Sequence, residues 1–131
     1  MDIRTSHARL DFSYHIVFVP KRRRRIFGGV RSLAAEEVFR QVAKELGIRF
    51  DTLKVALDHV HMLAMIPPDI SVSNAMRELK SKSAHELLKQ FPELRRELPD
   101  GTFWARGYYA RTIGNLNEQL VRDYIARTDH F

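Results

Sequence analysis

No cysteine occurs among the 131 residues, which excludes disulfides and thiolate metal sites and leaves nitrogen and oxygen as the available metal ligands. No apolar run approaches the roughly 20 residues that span a bilayer. The stretch from Met1 to Arg9 is polar, without the apolar centre of a secretory signal. A cytoplasmic protein with no membrane partner is therefore expected. Glycine-rich phosphate loops, cysteine–histidine pairs, nucleophile elbows, internal repeats and low-complexity tracts are missing too. The chain is 44% hydrophobic and 29% charged, with material for one core and too little length for two, so a single domain over residues 1–131 is expected. Negative charge is the scarcer sign. The balance of 22 Lys+Arg against 16 Asp+Glu leaves +6, which points to a polyanionic partner, nucleic acid before membrane.

Hydropathy patterning supplies the elements. Residues 10–19 are aromatic and β-branched with rough alternation, and read as a strand. Ser32 is a candidate N-cap for a helix whose Leu33, Val38, Phe39, Val42 and Leu46 follow helical spacing and which Gly47 ends. Phe50 to Leu57 and His59 to Ile66 read as two strands joined near Asp58, stopped by Pro67-Pro68. A second helix starts near Ser71 or Ser73, carries Met76, Leu79, Ser83 and Leu87 on one stripe, and ends at Phe91-Pro92. Residues 92–103 read as a charged connection, Trp104 to Ile113 as a fourth strand, and a last helix places Leu116, Leu120, Val121, Tyr124 and Ile125 on one face. The order β-α-β-β-α-β plus a helix predicts an α+β fold. Its pattern is the ferredoxin-like split βαβ: an antiparallel sheet, helices on one face, and an extra C-terminal helix.

Chemistry concentrates in His59-Val60-His61. On a strand, residues i and i+2 share a face, so the two imidazoles project together while Val60, Met62, Ala64 and Ile66 point the other way. Two adjacent neutral imidazoles suit a divalent metal. The alternative is one satisfied core histidine and one solvated at the strand's start. Lys21, Arg22, Arg23, Arg24 and Arg25 form a run of five like charges where the first strand ends, placed to grip phosphates. Lys80 and Lys82 on the second helix, and Arg106 and Arg111 around the fourth strand, extend that surface. Tyr124 reads as a stripe residue with its hydroxyl at the rim, or as a covalent nucleophile. Trp104 anchors the fourth strand in the core or stacks on a base. Tyr108 and Tyr109 face opposite ways, so one at most serves a shared site. His15 reads as structural and His85 as solvated.

These residues form an ordered set: YHIVFVPKRRRRIF at 14–27, DHVHMLAMIPP at 58–68, ELKSKSAHELLKQFPEL at 78–94, FWARGYYARTIGN at 103–115 and the helix with Tyr124-Ile125. In this order, over nearly the whole chain, the sequence resembles the single-tyrosine HUH transposases of bacterial and archaeal insertion sequences (the IS-two-hundred/six-hundred-five group). The resemblance implies that His59 and His61 hold Mg2+ or Mn2+ and that Tyr124, on the extra C-terminal helix, attacks single-stranded DNA. A 5′-phosphotyrosine forms and a 3′-hydroxyl is released. It also implies DNA hairpins at element ends as partners and a homodimer with composite active sites. The family usually places glutamine four residues after the tyrosine as third ligand. Here that position is Thr128, whose hydroxyl is a poor ligand, and the adjacent Asp129 is the candidate replacement, ahead of His130. Two other readings remain: a catalytically silent single-stranded nucleic-acid-binding module of the same fold, and an HxH metal hydrolase that forms no DNA adduct.

Overall fold

Strand β1 spans Phe12–Phe18 and sends Ile16 and Phe18 into one layer while Ser13, His15 and Val17 face the opposite side. The structure is a computed structural model, and it describes residues 12–98 and 101–113. Pro20, which lacks an N–H for the ladder, closes the strand, and Lys21–Arg23 follow as a single 3-10 turn. Helix α1 runs Val30–Leu46 and buries Ala35, Val38, Phe39, Val42 and Ala43. Gly47 ends it as expected, in the left-handed region (φ 75) with its N–H on the carbonyls of Ala43 and Lys44.

The start of α1 differs from the sequence expectation. Gly29, at φ 57, occupies the N-cap, and the Ser32 N–H is already bonded to the Gly29 carbonyl within the first turn. Leu33, inside this helix, lies about 140° and 240° around from Val38 and Phe39, off the buried stripe, and is 69% exposed.

Strands β2 (Arg49–Ala56) and β3 (His59–Ile66) form a hairpin about the turn at Leu57-Asp58. The β2–β3 register shifts between Phe50 and Thr52. Helix α2 (Val72–Gln90) begins at Ser71, whose hydroxyl accepts the Asn74 N–H at 3.1 Å. It buries Ala75, Met76, Leu79, Ser83 and Leu87, the stripe expected from spacing. The segment expected to be a plain connection holds a further helical turn, α3 (Leu94–Glu97). Leu94 and Leu98 anchor it in the core, and the Arg31 guanidinium bonds Glu97 at 3.0 and 2.8 Å and Glu93 at 3.3 Å.

Strand β4 covers only Tyr109–Ile113, not the expected stretch from Trp104. Trp104 makes an isolated bridge to Pro20, and the chain then leaves the sheet through Gly107 at φ 79. The Lys80 ammonium takes the carbonyls of Ala105 (2.9 Å) and Gly107 (2.7 Å), which satisfies backbone that a sheet partner would otherwise have to meet. Trp104 itself is 4% exposed, packed among Phe18, Phe27, Phe39 and Phe103, with its Nε1–H on the Ser83 hydroxyl at 3.1 Å. It is a core anchor, and base stacking is ruled out by burial.

The four strands order as β2-β3-β1-β4, every pair antiparallel. Inserting β3 between β1 and β2 gives the split βαβ arrangement expected from the element order. Ile16, Phe18, Val60, Met62, Ala64 and Ile66 form one core with the buried faces of α1 and α2, so both helices cover the same side of the sheet. The expected C-terminal helix lies outside the described residues. Among the described residues, no helix is long and apolar enough to cross a membrane.

Candidate metal and nucleic-acid site

The sheet face opposite the helices carries the chemistry. Cross-strand pairing sets Val17 against His61, so His15, one pleat along β1, is a diagonal neighbour of His61 on that face. His59 and His61 are both fully buried, their ring centroids 4.6 Å apart and their planes at 83°. The predicted co-facial pair is therefore present, and neither ring is solvated. His15 stacks parallel to His61 at 5.5 Å between centroids, with His15 Nε2 3.3 Å from His61 Nδ1.

Hydrogen bonding defines the protonation of these rings. His59 Nδ1 lies 2.7 Å from Asp58 Oδ1. Burial pulls the Asp58 pKa upward, but hydrogen bonds from His59 and Arg23, with the Arg23 charge, outweigh it and hold the pKa below its ordinary value. An ionised carboxylate only accepts, so Nδ1 of His59 is the donor, and in the neutral ring Nε2 carries the lone pair. That Nε2 is buried with no hydrogen-bond partner among the described residues. An unmet buried acceptor costs about 1–3 kcal/mol, and a cation on Nε2 removes the cost. The His15 pKa lies below its ordinary value, lowered foremost by burial and secondarily by the Arg111 charge. When His61 donates from Nδ1 to His15, its own Nε2 carries the lone pair as well. Both imidazoles then present the same nitrogen, each set by an outer partner, as metal-ligating histidines require. The residues present thus fit a divalent cation, though among the described residues no third His, Asp or Glu completes a ligand group.

Basic side chains surround this face unevenly. Arg111 pairs with His15 across β1–β4, and Lys54 pairs with His61 across β2–β3, so each shares the histidine face. Arg22, Arg23, Arg24 and Arg25 are exposed at the end of β1 and Lys21 is half-buried. Arg23 reaches Asp58 Oδ2 at 3.0 Å. Lys80, by contrast, lies on the helix side, its ammonium engaged with two carbonyls, and burial lowers its pKa. Lys82 stands on the surface of α2, 3.8 Å from Glu78. A groove of about 620 Å³ between α2 and residues 101–108 gathers Lys21, Arg77, Lys80 and Arg106 on that helix side, away from the histidines. Tyr109 faces the histidines, edge-on to His15 at 5.5 Å, while Tyr108 leans on Phe18 of the core layer. Tyr124, Thr128, Asp129 and His130 lie outside the described residues.

Three participants carry no functional signature in the sequence. Asp58 reads there only as a turn residue, His15 as structural, and Lys54 belongs to no motif. The signal that could have found Asp58 is its adjacency to His59. For His15 and Lys54 the pairing register is needed.

The comparisons with known proteins bear on the family and the fold. The model of a family described as IS200-like transposases matches residues 8–128. The transposase of insertion sequence element IS200 from Salmonella typhimurium is 40% identical over 120 residues, covering 92% of this chain and 78% of that one. The ISDra2 transposase TnpA of Deinococcus radiodurans is 26% identical over 115 residues, covering 88% of this chain and 82% of its own. Among solved structures, a Deinococcus radiodurans protein assigned as a transposase superposes with a TM-score of 0.75 at 23% identity, covering 89% and 90% of the two chains. A REP-associated tyrosine transposase bound to a REP hairpin gives 0.65 at 18% identity, covering 88% and 64%. At those identities the two superpositions speak for the fold alone.

Proposed function

The chain belongs to the IS200-like transposase family, and on that premise we propose that it cuts and rejoins single-stranded DNA through a phosphotyrosine on Tyr124. His59 and His61 hold Mg2+ or Mn2+ in this reading, with Asp129 in place of the missing third ligand. The observation that supports it most is the buried Nε2 of His59, without a partner among the described residues while its Nδ1 is fixed by Asp58, beside a second buried imidazole. When bound, the cation would neutralise charge on a scissile phosphodiester and polarise it. Histidine ligands shift the preference of such a site from Mg2+ toward Mn2+.

Tyr124 Oη forms the bond to phosphorus as the bond to O3′ breaks. The phenolic proton passes to solvent, and the departing oxygen takes up a proton to become a free 3′-hydroxyl. Rejoining reverses the step, with a 3′-hydroxyl attacking the phosphotyrosine and Tyr124 recovering its proton. Lys54 and Arg111 share the histidine face and are placed to hold the strand's phosphates there. The REP-associated neighbour's hairpin supports a hairpin at each element end as the substrate of this chain too. Because no third His, Asp or Glu completes a ligand group among the described residues, this reading takes Asp129 and the nucleophile Tyr124 from the same copy or from a second one. A homodimer with composite sites meets this. Sedimentation at micromolar concentration should give a dimer, and a monomer there would remove the composite arrangement.

The reading is tested by incubating the protein with labelled single-stranded element ends, with and without Mn2+, and resolving the products on a denaturing gel. A metal-dependent band retained on protein is expected. Its absence under every metal favours the silent binding module, for which Thr128 at the usual glutamine position is the supporting observation. Neutralising the basic run from Lys21 to Arg25 should weaken binding to all single strands. The log–log salt slope should fall by roughly 0.7 for each phosphate no longer gripped. An unchanged slope would leave the run as a solvated turn.

A further inference from the structure

Not all of the basic run is equivalent. We propose that Arg23 is a positioning residue of the metal centre, not a phosphate contact, acting through Asp58 to hold the His59 imidazole. This rests on the metal reading given above. Asp58 sits between the two groups and engages each with a different oxygen. Its Oδ2 takes Arg23 Nε–H at 3.0 Å, and its Oδ1 takes His59 Nδ1–H at 2.7 Å. A carboxylate held at one oxygen can still swing about its last torsion. Held at both, it fixes the plane in which His59 lies, and with it the direction of the Nε2 lone pair.

The backbone carries the same association. Phe27 N–H bonds the Leu57 carbonyl at 3.0 Å, so the segment after the basic turn is docked on the β2–β3 turn that bears Asp58. Arg22 and Arg23 hold φ of 59 and 53, a region that a residue with a Cβ enters at a cost and that glycine would enter more easily. The Arg23 N–H to the Pro20 carbonyl, at 2.7 Å, closes that turn. An arginine kept at a strained position, with its side chain delivered 35 residues away along the chain, marks a contact that the fold maintains. The turn after β1 and the ligand strand β3 thus act as one unit.

Charge alone predicts the reverse of this role, which makes the test sharp. Arg23 and a bound cation repel, so removing only a positive charge should tighten metal binding. Loss of positioning should weaken it. The full chain, without DNA, is titrated with Mn2+ while the free-ion electron paramagnetic resonance signal is followed, for wild type, Arg23→Gln, Arg24→Gln, Asp58→Asn and the Arg23→Gln/Asp58→Asn double variant. Arg23→Gln should weaken Mn2+ binding about tenfold, the lower end of outer-partner effects, and Arg24→Gln should not weaken it. The double variant should bind no worse than Asp58→Asn, because both changes break one connection. Salt slopes for single-stranded DNA should fall with Arg24→Gln and stay put with Arg23→Gln. If Arg23→Gln does not fold, Arg23→Gly, which relieves the left-handed strain, replaces it under the same expectation. An Arg23 variant that binds Mn2+ as tightly as wild type or tighter, or no worse than Arg24→Gln, overturns the proposal and leaves the metal site standing. A wild-type chain that binds no Mn2+ overturns the metal reading and this inference together.

Discussion

Tyr124→Phe is expected to leave DNA binding intact while strand cleavage and the covalent protein–DNA adduct disappear. The change removes one oxygen and keeps the ring. The stripe that Tyr124 shares with Leu120 and Val121 in the sequence is therefore undisturbed. A phenyl ring has no lone pair to offer phosphorus, so the loss should exceed about a thousandfold in rate, or roughly 4 kcal/mol of transition-state stabilisation. The same gel reads both variant and wild type. Asp129→Ala is the companion: a third ligand should take most of the metal-dependent rate with it, and a bystander none. Should Tyr124→Phe still form an adduct, the geometry names the replacement. Tyr109 lies 5.5 Å from the His15 ring on the histidine face, whereas Tyr108 packs toward Phe18 on the other.

The second large effect is on metal binding. His61→Ala should reduce Mn2+ affinity by more than about a hundredfold, because one of two adjacent imidazoles is lost and His15 no longer has its ring to brace. The readout need not be catalytic. A ligand at about a hundred times its Kd stabilises the folded state by about 2.7 kcal/mol, which for a domain of this size raises the unfolding midpoint by on the order of 10 °C. Wild type should show that rise with Mn2+, and His61→Ala should show none. Without metal the variant should unfold somewhat earlier, since truncating a fully buried ring leaves a cavity. Equal Mn2+ shifts in both proteins would falsify the ligand role of His61.

Much of this is legible in the amino acids because the deciding patterns are local. His59 and His61 share a face by the pleat of a single strand, and Asp58 and Pro67-Pro68 bound β3 where the structure places it. The α2 stripe follows from helical spacing, and capping chemistry narrows its start to Ser71 or Ser73, of which Ser71 is the cap. The family follows from an ordered set of short segments that fills nearly the whole chain. Local pattern misleads where long-range contacts intervene. Trp104 has the look of the first residue of β4, but Lys80, 25 residues away from Ala105, takes the carbonyls that would have continued the sheet. Ser32 has the chemistry of a cap, but Gly29 turns the chain earlier. The turn at Leu94–Glu97 leaves no local signal because its support, Arg31, comes from the start of α1.

The sequence by itself therefore determined the fold class and the family, through the order of its segments, and the shared face of the two histidines, through the pleat of one strand. Only the tertiary structure decided what surrounds them. His15 joins His61 through the pairing of β1 with β3, Lys54 through that of β2 with β3, and Arg111 through that of β4 with β1. Arg23 meets Asp58 for the same reason. Its partner Asp58 is distant in sequence, and no periodicity within either segment encodes which carboxylate a given arginine will meet. Period and spacing fix the face on which a side chain emerges; the register between strands fixes its neighbours, and register is settled only when the whole sheet packs against its helices.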